Sequence, residues 1–270
     1  MTTKSISELL IPLILEAGKQ MKSAHDVESA SDVTVKPGTA NFVTVYDVQI
    51  QNFLMREIKK AIPDAFFIAE EKENDASALG HTHCFIIDPI DGTTNFIHDY
   101  RHSCISLALF SLGQPVFGAV YNPYQNELFH AEKDKGAYLN GQPMHVSDRP
   151  MHLAITAYGT SPYYKDHYAD PTFDLCKKLF LEGADVRRCG SAALDLAYLA
   201  AGRNDAFFEC ILSPWDIAAG QLLITEAGGV ITDMKGDPID FSSPSPVIAA
   251  NPVCYPSLLE IARNELCRYD

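Results

Sequence analysis

Residues 84–91, CFIIDPID, begin as an apolar strand and finish with two aspartates three positions apart, followed by Gly92-Thr93-Thr94-Asn95. A buried strand that delivers paired carboxylates into a polar, glycine-containing turn fits three readings: an ordinary strand exit, a metal site, or a cradle for phosphate. The segment just upstream, AFFIAEE (65–71), is a second short apolar strand ending in acids. With 270 residues, 47% of them hydrophobic, the chain has ample material for the core such strands require.

The periodicity elsewhere supplies the helices. Ile6, Leu9, Leu10, Leu13, Ile14, Ala17 and Met21 recur at helical spacing, in a helix that Pro12 should delay or kink. Ile50, Phe53, Leu54, Ile58 and Ala61 share one face of a second helix stopped by Pro63. From residue 103 the pattern becomes an antiparallel meander with a hairpin signal at Asn140-Gly141. Beyond about residue 150 strands (152–158, 184–188, 205–211, 229–234, 246–251) alternate with helices (171–182, 191–201, 213–229 and a final one). No repeat or flexible linker separates them, so the sequence predicts one α/β domain, 1–270, with halves of about 1–150 and 151–270.

A formal net charge of −14 without a clustered basic face opposes a nucleic-acid partner. Seven scattered cysteines, with no CxxC pair or Cys/His cluster in sequence, fit reduced thiols better than a disulfide framework or a zinc site. The apolar centre of the N-terminus is bracketed by Glu8 and Glu16, and no segment approaches the length of a spanning helix, which predicts a cytoplasmic protein without a membrane partner.

The acids divide by how well a bland alternative explains them. For Asp88 and Asp91 a turn brings positions i and i+3 together, with the Ile90 carbonyl pointing the same way, and two carboxylates that close repel unless a cation joins them. Oxygen-only donors favour Mg²⁺ or Ca²⁺, although a solvated Asx turn would suffice for a lone DxxD. The amides after Gly92 add an anion cradle beside it. Glu70 meets Asp88 if the two strands lie side by side, whereas Glu71 faces away. Asp216 and Asp47 each sit in a capping-box pattern, with Ser213 and Thr44, that needs no ligand; a buried end on the largely apolar 213–229 helix would nonetheless leave Asp216 wanting a cation. Lys36 reads alone as a solvated lysine, Glu209 as an exposed acid at a strand end, and His98 and His102 receive no role.

Together, DPIDGTTNF (88–96) and WDIAAGQLLITEAGG (215–229) resemble the two signature segments of the inositol monophosphatase family, with NFVTVYD (41–47) and FIAEE (67–71) in matching order upstream. The resemblance runs from about residue 9 to about residue 262 and implies a five-layer αβαβα sandwich, as in fructose bisphosphatases. It also implies Mg²⁺-dependent phosphomonoesterase activity with two to three ions, lithium sensitivity and a homodimer. Carried onto this chain, it makes Glu70, Asp88, Asp91, Asp216 and the Ile90 carbonyl metal ligands, with Lys36 in a loop near the site. Gly92 and Thr93 would hold phosphate, and Thr93, Asp47 and Glu70 would orient the attacking water. Asp91, Gly190, Ser191, Ala192 (within CGSAA, 189–193) and Glu209 would meet the rest of a small phosphorylated substrate.

Tyr46, the DYRHSCIS stretch and residues 158–171 depart from the family pattern. Inositol monophosphate or another polyol phosphate ranks first. Fructose 1,6-bisphosphate, 3′-phosphoadenosine 5′-phosphate, histidinol phosphate and NADP are alternatives on the same scaffold, and an acidic cation-binding module is the non-enzymatic rival.

Overall fold

The computed structural model describes residues 5–24, 33–35 and 42–266; the Lys36 loop and Cys267 lie outside them. The elements in chain order are α1 (Ile6–Lys22), β1 (Val33–Val35), β2 (Phe42–Thr44), α2 (Val45–Ala61), β3 (Phe66–Ala69), β4 (Cys84–Asp91), α3 (Thr93–Ile97), β5 (Cys104–Ser111), β6 (Gln114–Asn122) and β7 (Glu127–Glu132). They continue with β8 (Ala137–Leu139), β9 (Gln142–Met144), β10 (Ile155–Tyr158), α4 (Lys165–Glu182), β11 (Asp185–Arg187), α5 (Ala192–Ala200), β12 (Ala206–Leu212), α6 (Pro214–Glu226), β13 (Val230–Thr232), β14 (Ser245–Ala250) and α7 (Tyr255–Leu266).

Two sheets carry the architecture. One runs β3-β4-β5-β6-β7-β8-β9, parallel only between β3 and β4, and the other runs β11-β10-β12-β14-β13. Because side chains alternate across a strand, β4 points Phe85 and Ile87 one way and Ile86 the other. Phe85, Ile87, Leu107 and Phe117 pack with Leu10 and Ile14 of α1 and Ile50 and Leu54 of α2. On the opposite face Ile86, Ala108 and Val120 join Leu196 of α5, Leu222 and Leu223 of α6, and Phe207 and Val247 of the second sheet. The far side of that sheet sends Phe208 and Ile248 against Leu175 and Leu179 of α4 and Leu258 of α7. The layers therefore read αβαβα, as the resemblance implies.

Local chemistry explains most boundaries. Asn140 and Gly141 take positive φ values of 49° and 78°, the pair a type I′ turn demands between β8 and β9. A Thr44–Asp47 capping box starts α2.

Three expectations change. Pro12 does not delay α1 but lies inside it, because Ser5 and Glu8 form a capping box that fixes its start at Ile6. The fourth helix begins at Lys165 and not at Pro171, which lies inside it. The added turns bring Tyr168 against the apolar layer. Residues 152–153 belong to a short 3₁₀ turn, and the strand expected there starts at Ile155.

The central helix α6 is seated by a glycine. A Cβ at Gly118 on β6 would lie 2.8 Å from the Ala219 carbonyl oxygen and 3.1 Å from its Cα. Gly118→Ala should therefore cost about 1–3 kcal/mol, the range for overpacking a core. A urea midpoint unchanged in that variant would show that α6 is not pressed against β6.

Candidate metal and phosphate site

β3 and β4 run parallel in register from Phe66↔Cys84 to Ala69↔Ile87, so Glu70, the next residue, lies beside the end of β4. Its amide donates to the Ile87 carbonyl at 3.2 Å. Asp88 and Asp91 would face opposite ways in a regular strand, since their spacing is odd. A bulge corrects this: Asp88 pairs with Ser106 and Asp91 with Cys104, so three steps on β4 match two on β5. The device that joins the two carboxylates is thus a bulge within the strand, where the sequence suggested a turn.

One oxygen of each acid is held by the fold. Asp88 Oδ1 accepts from the Ile90 amide at 3.0 Å. Asp91 Oδ2 accepts from the Ala193 amide at 2.8 Å, from the Ser191 hydroxyl and from the Cys104 thiol. Asp216 Oδ2 accepts from the Ser213 amide at 2.7 Å, so the capping box is real, yet it occupies only one oxygen. Carboxylate oxygens of Asp88, Asp91 and Asp216 lie within 4.8 Å of one another. Asp88 and Asp91 are buried, at 2% and 8% exposure, and among the described residues no Lys or Arg pairs with any of the three.

The electrostatic consequence is severe. Burial first, then the charges of Glu70, Asp91, Asp216 and Asp47, push the Asp88 carboxyl well above its usual range. Asp216 is raised by burial and by Asp91 and Glu70, and burial outweighs the hydrogen bonds to Asp91 to raise that group as well. The donor set, hard oxygens in a buried and negatively charged cluster, fits a divalent cation of the Mg²⁺ type.

At the rim, Gly92 adopts φ 86°, and a Cβ there would meet the Gly190 carbonyl oxygen at 2.9 Å, so glycine is required. The Thr93 hydroxyl lies 3.1 Å from the Ile90 carbonyl oxygen and 3.3 Å from Asp47 Oδ1. Asp47, fully buried, receives the Thr44 amide at 2.7 Å on its other oxygen. A pocket of about 180 Å³ opens from Asp91, Gly92, Thr93 and Asp216 past Gly190, Ser191 and Ala192 to Glu209.

Glu209 is not the exposed strand-end acid that its position suggests. It sits inside β12, is 6% exposed, and its Oε1 accepts from the Ser161 amide at 2.8 Å and the Ser161 hydroxyl at 3.2 Å. Burial pushes it up to about 7 against those bonds. Gly159 makes room for it, since a Cβ there would fall 1.8 Å from Oε2.

Sequence reasoning missed Tyr163, Arg188 and Asp195, which also line the pocket. Burial and then the charges of Glu70, Asp216, Asp88 and Asp91 raise the Tyr163 phenol. The first two residues sit in segments with no pattern to mark them, and Asp195 looks like a first-turn acid of α5.

A layered αβαβα fold whose strand ends gather carboxylates around a phosphate-sized pocket defines a phosphomonoesterase of the layered-sandwich class. The chain belongs to the inositol monophosphatase family, whose model matches residues 3–266, and that family comprises phosphoric monoester hydrolases. It is 38% identical over 252 residues to the Nus factor SuhB of Escherichia coli strain K12, covering 93% of each chain. It is 36% identical over 270 residues to the inositol-1-monophosphatase of Mesorhizobium japonicum, covering 98% of this chain and 99% of that one. Among solved structures, a Thermotoga maritima IMPase matches with a TM-score of 0.86 and 31% identity over 97% and 98% of the two chains. Among the described residues no helix is long and apolar enough to cross a membrane.

A carboxyl whose pKa is raised by folding stabilises the fold below its unfolded value, and that contribution is lost as pH rises through the folded one. For Glu209 the window runs from 4.5 to about 7, and Asp88, Asp91 and Asp216 act in the same direction. A chelator-treated sample should therefore melt lower as pH rises from about 5 to about 8, and added divalent cation should raise its Tm most at the upper end. An equal cation effect at both ends would mean that the cluster does not bind the ion.

Proposed function

We propose that this chain hydrolyses a small phosphate monoester with Mg²⁺, and that inositol monophosphate or a related polyol phosphate is the substrate. The observation that carries the reading is the Thr93 hydroxyl between Asp47 and the Ile90 carbonyl at the edge of the acid cluster. A module that only bound cations would need the acids and not this pair.

Glu70, Asp88, Asp91, Asp216 and the Ile90 carbonyl would hold two to three Mg²⁺ ions. Bound there, Mg²⁺ lowers the pKa of water and offsets charge on the leaving alkoxide. The chain supplies the positioning. Asp47 takes the Thr93 proton in a hydrogen bond, which turns a Thr93 lone pair toward the incoming water, and Glu70 orients that water from the β3 side. The amides of Gly92 and Thr93 grip phosphate oxygens. Gly190, Ser191 and Ala192 form the wall for the alcohol portion. Oε1 of Glu209 is already taken by Ser161, so Oε2 is the acceptor left for a substrate hydroxyl.

Glu209 disfavours a second phosphate by repulsion, which ranks a polyol phosphate above fructose 1,6-bisphosphate, 3′-phosphoadenosine 5′-phosphate, histidinol phosphate and NADP. Arg188 in the same pocket would favour a second anion, so the order of substrates is the informative measurement. The name of the Mesorhizobium relative supports the polyol assignment. Lithium inhibition is part of the same reading, supported by a staphylococcal inositol monophosphatase-1 structure described as a LiCl-soaked inhibitory complex. So are a homodimer, a cytoplasmic location and a single phosphatase domain over 1–270; the apolar core shared by both sheets supports the last.

Phosphate release across that panel, with and without Mg²⁺, tests the proposal, and no release above background on any member would refute it. Asp91→Asn should nearly abolish turnover at saturating Mg²⁺, whereas a wild-type rate would remove Asp91 from the mechanism. Thr93→Ala should keep metal affinity and lower kcat about 10²-fold. Matching losses of both would make Thr93 a structural residue.

A further inference from the structure

A second cluster borders the same pocket through Asp195. His102 precedes β5, Cys189 follows β11 and Asp195 sits in the first turn of α5, and one ligand atom of each lies within 4.8 Å of the other two. The two loops are fastened together by one side chain. Asn95 Nδ2 donates to the His102 carbonyl at 2.7 Å and to the Cys189 carbonyl at 2.8 Å.

Two buried atoms of these residues lack hydrogen bonds, while the Cys189 thiol hydrogen-bonds the Asp195 carboxyl. Asp195 is 1% exposed, and its Oδ1 is buried without a hydrogen bond, as is His102 Nε2. Leaving a buried polar atom unpaired costs about 1–3 kcal/mol. Two such atoms beside a thiol ask for a common ligand that accepts electron pairs from oxygen, nitrogen and sulfur. His102 and Cys189 are each half-buried as residues.

We propose that His102, Cys189 and Asp195 form a site for a thiophilic divalent cation such as Zn²⁺, distinct from the oxygen-only cluster at Asp88, Asp91 and Asp216. A tetrahedral ion with bonds of about 2.0–2.3 Å sets its ligands about 3.3–3.8 Å apart. Closing from the 4.8 Å limit asks for side-chain movement of about 1 Å at most, with water as the fourth ligand. Binding replaces the S–H bond of Cys189 by an S–metal bond and releases that proton to solvent, with a second from Asp195 where its carboxyl is protonated. Burial, and the neighbouring Asp195 carboxyl, push the Cys189 thiol up to about 11, so its proton is present to be released at neutral pH. The bound ion would clamp Gly190, Ser191 and Ala192, which lie between two of its ligands in sequence.

The binding claim does not rest on the phosphatase reading, and its test reads no turnover. Co²⁺ is titrated into chelator-treated protein held in saturating Mg²⁺. One equivalent should bind with a sulfur-to-cobalt charge-transfer band, lost on adding Zn²⁺ and absent in Cys189→Ser. His102→Gln should weaken binding at least about 10-fold. Cobalt bound by the wild type without that band, a band that persists in Cys189→Ser, or no stoichiometric binding would each overturn the proposal. Cys104→Ser, whose thiol lies beside Asp91, should keep the band, and its loss there would overturn the assignment to Cys189 even where Cys189→Ser fails to fold.

Discussion

Repulsion among buried carboxylates is the constraint around which this fold is organised. Asp88, Asp91 and Asp216 share a space in which Asp91 and Asp216 discourage the ionisation of Asp88, and Asp91 that of Asp216. The chain holds them there by tying one oxygen of each to a backbone amide, from Ile90, Ala193 and Ser213 respectively. Those amides belong to β4, α5 and the residue capping α6, so the cluster stands where the first sheet meets the middle helical layer. A cation that relieves the repulsion would be stabilising the junction as well as serving chemistry.

Much of this arrangement is legible in sequence where a local pattern has one physical solution. CFIIDPID announces a buried strand with acids at its mouth, and Asn140-Gly141 admits one tight hairpin. Ser213-Pro214-Trp215-Asp216 starts a helix by capping, and its aspartate still meets the cluster because the cap uses a single oxygen. The parallel pairing of β3 with β4, anticipated from two acid-tipped strands, puts Glu70 beside Asp88.

The rest depends on contacts no window of sequence contains. The bulge that aligns Asp88 with Asp91 is a mismatch against β5, invisible without the partner strand. Glu209 looks exposed because its anchors, Ser161 and Gly159, come from a loop 48 and 50 residues away. The thiol of Cys189 finds an imidazole 87 residues upstream, which is why the cysteines read as inert in isolation. Helix α4 continues through Pro171, and Tyr168 in its added turns packs on the apolar layer, a tertiary contact that local propensity does not contain.

Gly118 gives the molecule one more property. At Gly118 the α6 backbone rests on β6 with no side chain between them, and Asp216 rides at the end of that helix. The separation of Asp216 from the two β4 acids is then a gauge of how tightly the layers are stacked. Warming that dilates the interior by a fraction of an ångström would spread the carboxylates before any strand lets go, so affinity for ions should fade ahead of the fold itself.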